Sequence, residues 1–239
     1  GVPVAKHGNR AVSSRSGSAD VLDALGIALD VPTQHAAALL KDVGIAFLLA
    51  PAHHPAMRHA MAARKELGVR TLFNQLGPLN NPAGATHQLL GAYADELRPL
   101  FARTLAELGA RRAWVVRGED GLDEVSPFVP TRVTELDNGQ LRERTVTPGD
   151  FGLPVSPAGA IAGGDATYNA KQLELILDGQ PHPARDALLL NAAAALVVAL
   201  ELPLRDATER ARRALDEGAA RHTLERWRAR SGELRAKES

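Results

Sequence analysis

The order of the chain places it in the α/β class, with a mainly parallel sheet flanked by helices. Short continuous apolar runs, Gly44 to Ala50 and Arg112 to Arg117, read as strands buried on both faces, the pattern of parallel sheets. Stretches with apolar residues at helical spacing alternate with them, as βα units require. Late in the chain, Val133 to Leu136 and Leu141 to Val146 flank Asp137-Asn138-Gly139, which predicts an antiparallel hairpin.

In chain order, Val2-Pro3-Val4-Ala5 reads as a strand, followed by the polar loop Lys6 to Ser18 and an amphipathic helix from Ala19 to Leu29. Thr33 is placed to cap a second helix running through Val43. After the buried strand at 44–50, Pro51 to Pro55 stops the chain and Ala56 to Leu67 reads as a helix. Leu72 to Pro82 holds two prolines and reads as a turn-rich hinge. Gln88 to Tyr93 is a strand, and Leu97 to Leu108 a helix ended by Gly109. Gly163-Gly164-Asp165 leads into a helix to about Leu177, with Asp165 as its cap. Ala184 to Leu200 is an apolar, buried helix; Arg205 to Glu217 and Ala219 to about Ala229 are charged helices at the surface.

Composition narrows the function classes. The 239 residues carry 28 basic and 28 acidic side chains, so no global attraction to nucleic acid or anionic membrane arises. There is no cysteine, which removes disulfides, thiolate chemistry and cysteine-based zinc sites. No apolar run reaches a membrane span of about 18 residues; Leu188 to Leu202 comes nearest, and Asn191 and Glu201 interrupt it. A cytoplasmic protein is expected. The chain opens at Gly1 directly into a strand, so an upstream segment is expected too.

Three groups of residues carry chemistry. The loop after the first strand holds Lys6, Arg10, Ser13, Ser14 and Ser18 with Gly8 and Gly17. Cations, hydroxyls and glycines ahead of a helix start suit an anion such as phosphate. A solvated, helix-capping Ser/Gly loop has the same composition, and composition does not separate the two. Asp123-Glu124 ends a buried strand inside GEDGLDEVSP. Adjacent carboxylates suit a hard divalent cation, although exposed acidic loops look alike. His54 and Arg64 flank a helix start. An Arg fork matches a planar carboxylate, while an ordinary surface arginine remains open.

The segment KHGNRAVSSRSGSAD resembles the signature of the anthranilate phosphoribosyltransferase family, and so do HHPAMRHAMAARKELGVRTLFNQLGPLNNP and GEDGLDEVSP. The resemblance implies the nucleoside phosphorylase/phosphoribosyltransferase-like fold. It divides the chain into a first α/β part at 1–53, a helical segment and hinge at 54–80, and a second α/β part at 81–239. It implies transfer of phosphoribose from 5-phosphoribosyl 1-pyrophosphate to anthranilate. Lys6, His7, Gly8, Asn9, Ser13, Ser14 and Ser18 would bind the phosphoribosyl donor. Asn9, His54 and Arg64 would face anthranilate, with Arg64 on its carboxylate. Asp123 and Glu124 would hold two magnesium ions with the diphosphate. No general acid or base is assigned, because the acceptor amine is already neutral. A homodimer is implied. The family's Gly-Thr-Gly-Gly-Asp diphosphate loop lies upstream of the KHGN segment and is not matched here; Gly163-Gly164-Asp165 is not its equivalent.

Two rivals use the same scaffold. A pyrimidine nucleoside phosphorylase would turn over thymidine rather than anthranilate. A non-catalytic nucleic-acid-binding relative would need a single-sign basic surface and no acidic pair, and a gel shift separates it.

Overall fold

The computed structural model describes residues 1–10, 15–54, 56, 59, 66 and 71–236. In chain order the elements are β1 (Val4–Gly8), α1 (Ser18–Ala24), α2 (Ala36–Asp42), β2 (Ile45–Leu49), α3 (Ala50–His53), α4 (Leu72–Leu79), β3 (His87–Gly91) and α5 (Leu97–Glu107). There follow β4 (Arg112–Gly118), β5 (Thr131–Asp137), β6 (Gln140–Val146), α6 (Ala166–Leu177), α7 (Arg185–Leu200), α8 (Leu204–Asp216) and α9 (Ala219–Ala236). The chain forms two compact units. One comprises Gly1–Gly84, Gly163–Glu174 and Ala220–Ser239, the other Ala85–Ala162 and Leu175–Ala219.

In the first unit β1 and β2 pair in parallel, with Lys6 opposite Phe47 and Gly8 opposite Leu49. The expected strand at 2–5 therefore shifts and extends through Lys6-His7-Gly8. Its partner β2 has a buried Ala46-Phe47-Leu48 centre, and main-chain pairing to that strand overrides the polarity of the motif. Helix α1 is shorter than its apolar period, because Gly26 turns left-handed at φ +83° and ends it. Ile27, Ala28 and Leu29 are still buried, in the turn that follows. Thr33 opens a 3-10 turn at Thr33–His35 that leads into α2.

Most of the expected 56–67 helix lies outside the described residues. The expected turn-rich hinge at 72–82 is instead largely α4. The Thr71 N–H donates to Asn74 Oδ1 at 2.9 Å, a helix-start contact that outweighs a proline placed only at position 78. Helix α9 runs to Ala236, well past Ala229, because Leu224, Trp227, Ser231 and Leu234 form one buried face. The Ser231 hydroxyl accepts from the Ala28 N–H at 3.1 Å and anchors the helix there. Arg230 adds an ion pair to Asp42 at 2.8 Å.

In the second unit the sheet order is β3-β4-β5-β6. The β3/β4 pair is parallel, while β4/β5 and β5/β6 are antiparallel. The class is α/β, but the pairing is mixed rather than mainly parallel. The hairpin turn is Asn138-Gly139, both at positive φ (46° and 85°), the geometry of a two-residue loop that fits the strand twist. Helix α5 ends where Gly109 turns left-handed, as expected. Trp114, Val115, Val116 and Val133 from the sheet are buried, as are Phe101 and Leu105 from α5 and Leu189 and Leu190 from α7. Among the described residues no single helix is long and apolar enough to cross a membrane.

One buried charge ties α5 to the hairpin. Arg98, only 6 % exposed, donates to Asp95, to the Thr134 hydroxyl at 2.8 Å and to Glu143 at 2.7 Å. Its hydrogen bond holds the Asp95 carboxyl below the usual carboxylate range. Arg98→Leu strips these groups of their donor, and losing such partners costs about 1–3 kcal/mol. The expected result is a lower urea midpoint at unchanged slope; an unaltered midpoint would show that the network adds nothing.

Candidate functional site

The anion-binding candidate belongs to the first unit. β1 delivers Lys6, His7 and Gly8 at its carboxyl end, where parallel strands present ligands. Lys6 and Asn9 are exposed, and Asn9 Oδ1 accepts from the Arg10 N–H at 2.8 Å. Gly8 lies where the backbone is crowded: a Cβ there would stand 3.0 Å from the Phe47 ring and 3.3 Å from Ser18 Oγ. Ser18 therefore closes on the strand end from the first residue of α1, and the N-cap of that helix is Gly17. The Gly17 N–H donates to Asp20 Oδ2 at 3.0 Å. Arg10 turns toward α1, pairing with Asp20 at 3.3 Å and Asp23 at 3.1 Å, which raises its pKa. Ser13 and Ser14 lie outside the described residues.

His7 and His54 meet edge to face, with ring centroids 5.1 Å apart. His7 Nδ1 donates to the Gly77 carbonyl at 3.2 Å, and His54 Nδ1 lies 3.5 Å from Asn80 Nδ2. The Nε2 atoms of both histidines are buried and, among the described residues, have no hydrogen-bond partner. Asn81 donates to the Ala5 carbonyl at 2.9 Å, fastening the segment after α4 to β1. Sequence reasoning had no role for Asn80 and Asn81, whose partners lie 26 and 76 residues away. Arg64, the expected carboxylate fork, lies outside the described residues.

The acidic candidate belongs to the second unit. Asp123 and Glu124 are exposed in the loop after β4. Three contacts hold that loop. Gly91, the last residue of β3, abuts the Asp123 main chain so closely that a Cβ would fall 1.7 Å from the Asp123 carbonyl oxygen. Asn191 of α7 grips Val125 on both sides, its Oδ1 accepting from the Val125 N–H at 3.0 Å and its Nδ2 donating to the Val125 carbonyl at 2.9 Å. Asp120 accepts from the Ser126 hydroxyl at 2.7 Å and from the Leu122 N–H at 3.2 Å. Two hard oxygen donors on a fixed loop, open to water, fit a divalent cation that draws its other ligands from phosphate and solvent. Among the described residues no group of three or more His, Cys, Asp or Glu is placed to hold a metal by itself.

Burial first, and His54 second, push the His7 imidazole below its ordinary value of 6.5. Neutral His7 with its proton on Nδ1 leaves Nε2 as an acceptor. A depressed folded value means the stability from the neutral ring is complete above about pH 6.5 and fades as pH falls through the folded value. A ¹⁵N-histidine NMR titration should give His7 a midpoint below 6.5; a midpoint at or above it would contradict this environment.

The profile of the "Glycosyl transferase family, a/b domain" matches residues 1–221. The anthranilate phosphoribosyltransferase of Myxococcus xanthus is 54% identical over 226 residues, covering 94% of this chain and 67% of the relative. The crystal structure of that enzyme from Thermus thermophilus superposes with a TM-score of 0.89 at 44% identity, over 96% of this chain and 68% of the other. The Saccharomyces cerevisiae enzyme in complex with PRPP and Mg gives 0.86 at 30% identity, over 96% and 65%. The chain thus spans about two thirds of the length of these relatives. It belongs to the anthranilate phosphoribosyltransferases, within the glycosyl transferase family whose a/b domain it matches.

Proposed function

We propose that the chain transfers phosphoribose from 5-phosphoribosyl 1-pyrophosphate to the amine of anthranilate, releasing diphosphate and N-(5-phosphoribosyl)anthranilate for tryptophan biosynthesis. The observation that carries the reading is the exposed Asp123-Glu124 pair on a loop fixed by main-chain contacts. Relatives solved with PRPP and Mg and with 4-fluoroanthranilate support both substrates and the metal.

Asp123 and Glu124 would hold magnesium, in this reading two ions, each taking further oxygens from phosphate and water. Magnesium bound there supplies charge neutralisation to the departing diphosphate. Lys6 would add positive charge, Asn9 and Ser18 polar contacts, and Gly8 would add its main chain while letting Ser18 close on the strand end. His7, bonded through Nδ1 to the Gly77 carbonyl, would hold the strand end that meets the donor. Ser13 and Ser14 would extend the same loop. His54 would border the acceptor, and Arg64 would fork its carboxylate, aiming the amine at the anomeric carbon, an orientation effect. No side chain needs to remove a proton before attack. The proposal includes a cytoplasmic location and a homodimer. Leu72 and Leu76, exposed one turn apart on α4, are candidates for its interface.

Calorimetry and steady-state kinetics test the reading together. The D123N/E124Q variant should lose magnesium-dependent binding of phosphoribosyl pyrophosphate, and binding like that of the parent would overturn the metal assignment. Arg64→Ala should raise the anthranilate KM roughly ten- to a hundredfold, the worth of a charge-assisted hydrogen bond, while the KM for the donor stays near that of the parent. Arg64→Lys should recover only part, since an ammonium lacks the planar fork. Unchanged acceptor kinetics in Arg64→Ala would remove Arg64 from that role.

A further inference from the structure

Asn191 stands in the middle of α7, among Leu188, Leu189, Leu190 and a run of alanines. A leucine or alanine would suit that helix better, both by propensity and by the company it keeps. The carboxamide is used completely. Its oxygen takes the Val125 N–H at 3.0 Å, and its two N–H groups serve the Val125 carbonyl at 2.9 Å and the Ala187 carbonyl at 3.2 Å. Only one orientation of the amide satisfies Val125, because donor must face acceptor on both sides. The grip is that of one strand on another, applied by a single side chain to the residue after Glu124.

We infer that Asn191 is a positioning residue for the acidic pair: by holding both main-chain groups of Val125 it fixes the direction in which Asp123 and Glu124 present their carboxylates to a divalent cation. The inference rests on the metal reading of that pair. Gly91 meets Asp123 from the other side, so the main chain that bears the two carboxylates is held between a backbone stop and an amide clamp. A carboxylate on a loop free to rotate would spend part of the binding free energy on ordering itself. One on a clamped loop is preorganised, which is how groups outside the ligand shell tune a metal site.

The test uses Mn²⁺ as probe, titrated into the full chain with saturating phosphoribosyl pyrophosphate and read as free Mn²⁺ by electron paramagnetic resonance. Asn191→Leu keeps the side-chain bulk and Asn191→Ala keeps a strong helix former, so circular dichroism can confirm a folded variant. The expected result is a Mn²⁺ affinity lowered roughly 10- to 100-fold, the usual cost of losing an outer support of a metal ligand. Hydrogen exchange should quicken at the Val125 amide but not at the β4 and β5 amides, whereas a general loss of stability would quicken all of them, and the KM for anthranilate should stay unchanged. The D123N/E124Q variant is measured alongside. If it loses Mn²⁺ while folded Asn191 variants bind as the parent does, the positioning role is overturned and the metal reading stands. If D123N/E124Q itself binds Mn²⁺ as the parent does, the metal reading fails and takes the positioning role with it.

Discussion

The carbonyl oxygen of Asp123 occupies the space where any residue but glycine at position 91 would carry its Cβ. That contact brings the acidic loop against the end of β3, and the rest of the second unit is arranged to permit it. β3 and β4 pair in parallel, so both strands end on the same side. The chain leaving β4 doubles back through Gly118-Glu119-Asp120-Gly121. The Gly118 N–H bonds the Leu122 carbonyl at 2.8 Å, and Asp120 receives Ser126. Gly118 repeats the constraint, since a Cβ there would lie 2.3 Å from Asp120 Oδ1. Buried Trp114, Val115 and Val116 make the strand behind the loop rigid. Exposed carboxylates, which would otherwise sample many directions, are thereby attached to close-packed main chain.

The first unit holds its candidate anion-binding residues by related means. An anion site needs donors at the end of a strand and a main chain that a ligand can approach. β1 is short and polar, and it is a strand because β2 beside it is buried and apolar. Its last residues, His7 and Gly8, are then held by Gly77, by Phe47 and by the His54 ring. Burial among these groups, and the His54 ring beside it, hold the His7 imidazole below its ordinary value.

Local chemistry was legible where it ended or turned the chain. Gly109 closes α5, Asn138-Gly139 turns the hairpin, and Asp165 caps α6 by accepting from the Tyr168 N–H at 2.8 Å. Each is decided within a few residues. What could not be read depended on distant partners. Lys6 and His7 look like loop residues until Phe47 and Leu48 lie beside them. Pro78 looks like a hinge, yet it falls in the last turn of a helix started by Thr71 and Asn74. Asn191 reads as an interruption of an apolar run, because its partner Val125 is 66 residues away. The Asp123-Glu124 loop was found from the strand before it, but nothing local reveals that Gly91 and Asn191 hold it. The pattern of strands and helices was likewise visible, whereas the mixed pairing of the second sheet depended on where β4 and β5 meet.

The central claim is that the clamped acidic pair receives the metal. Crystals grown with Mn²⁺ and phosphoribosyl pyrophosphate test it most directly, through the anomalous scattering of manganese. The account predicts an anomalous peak about 2.1 Å from carboxylate oxygens of Asp123 and Glu124, with Asn191 still bonded to both main-chain groups of Val125. Manganese bound with the donor but away from both carboxylates would contradict it.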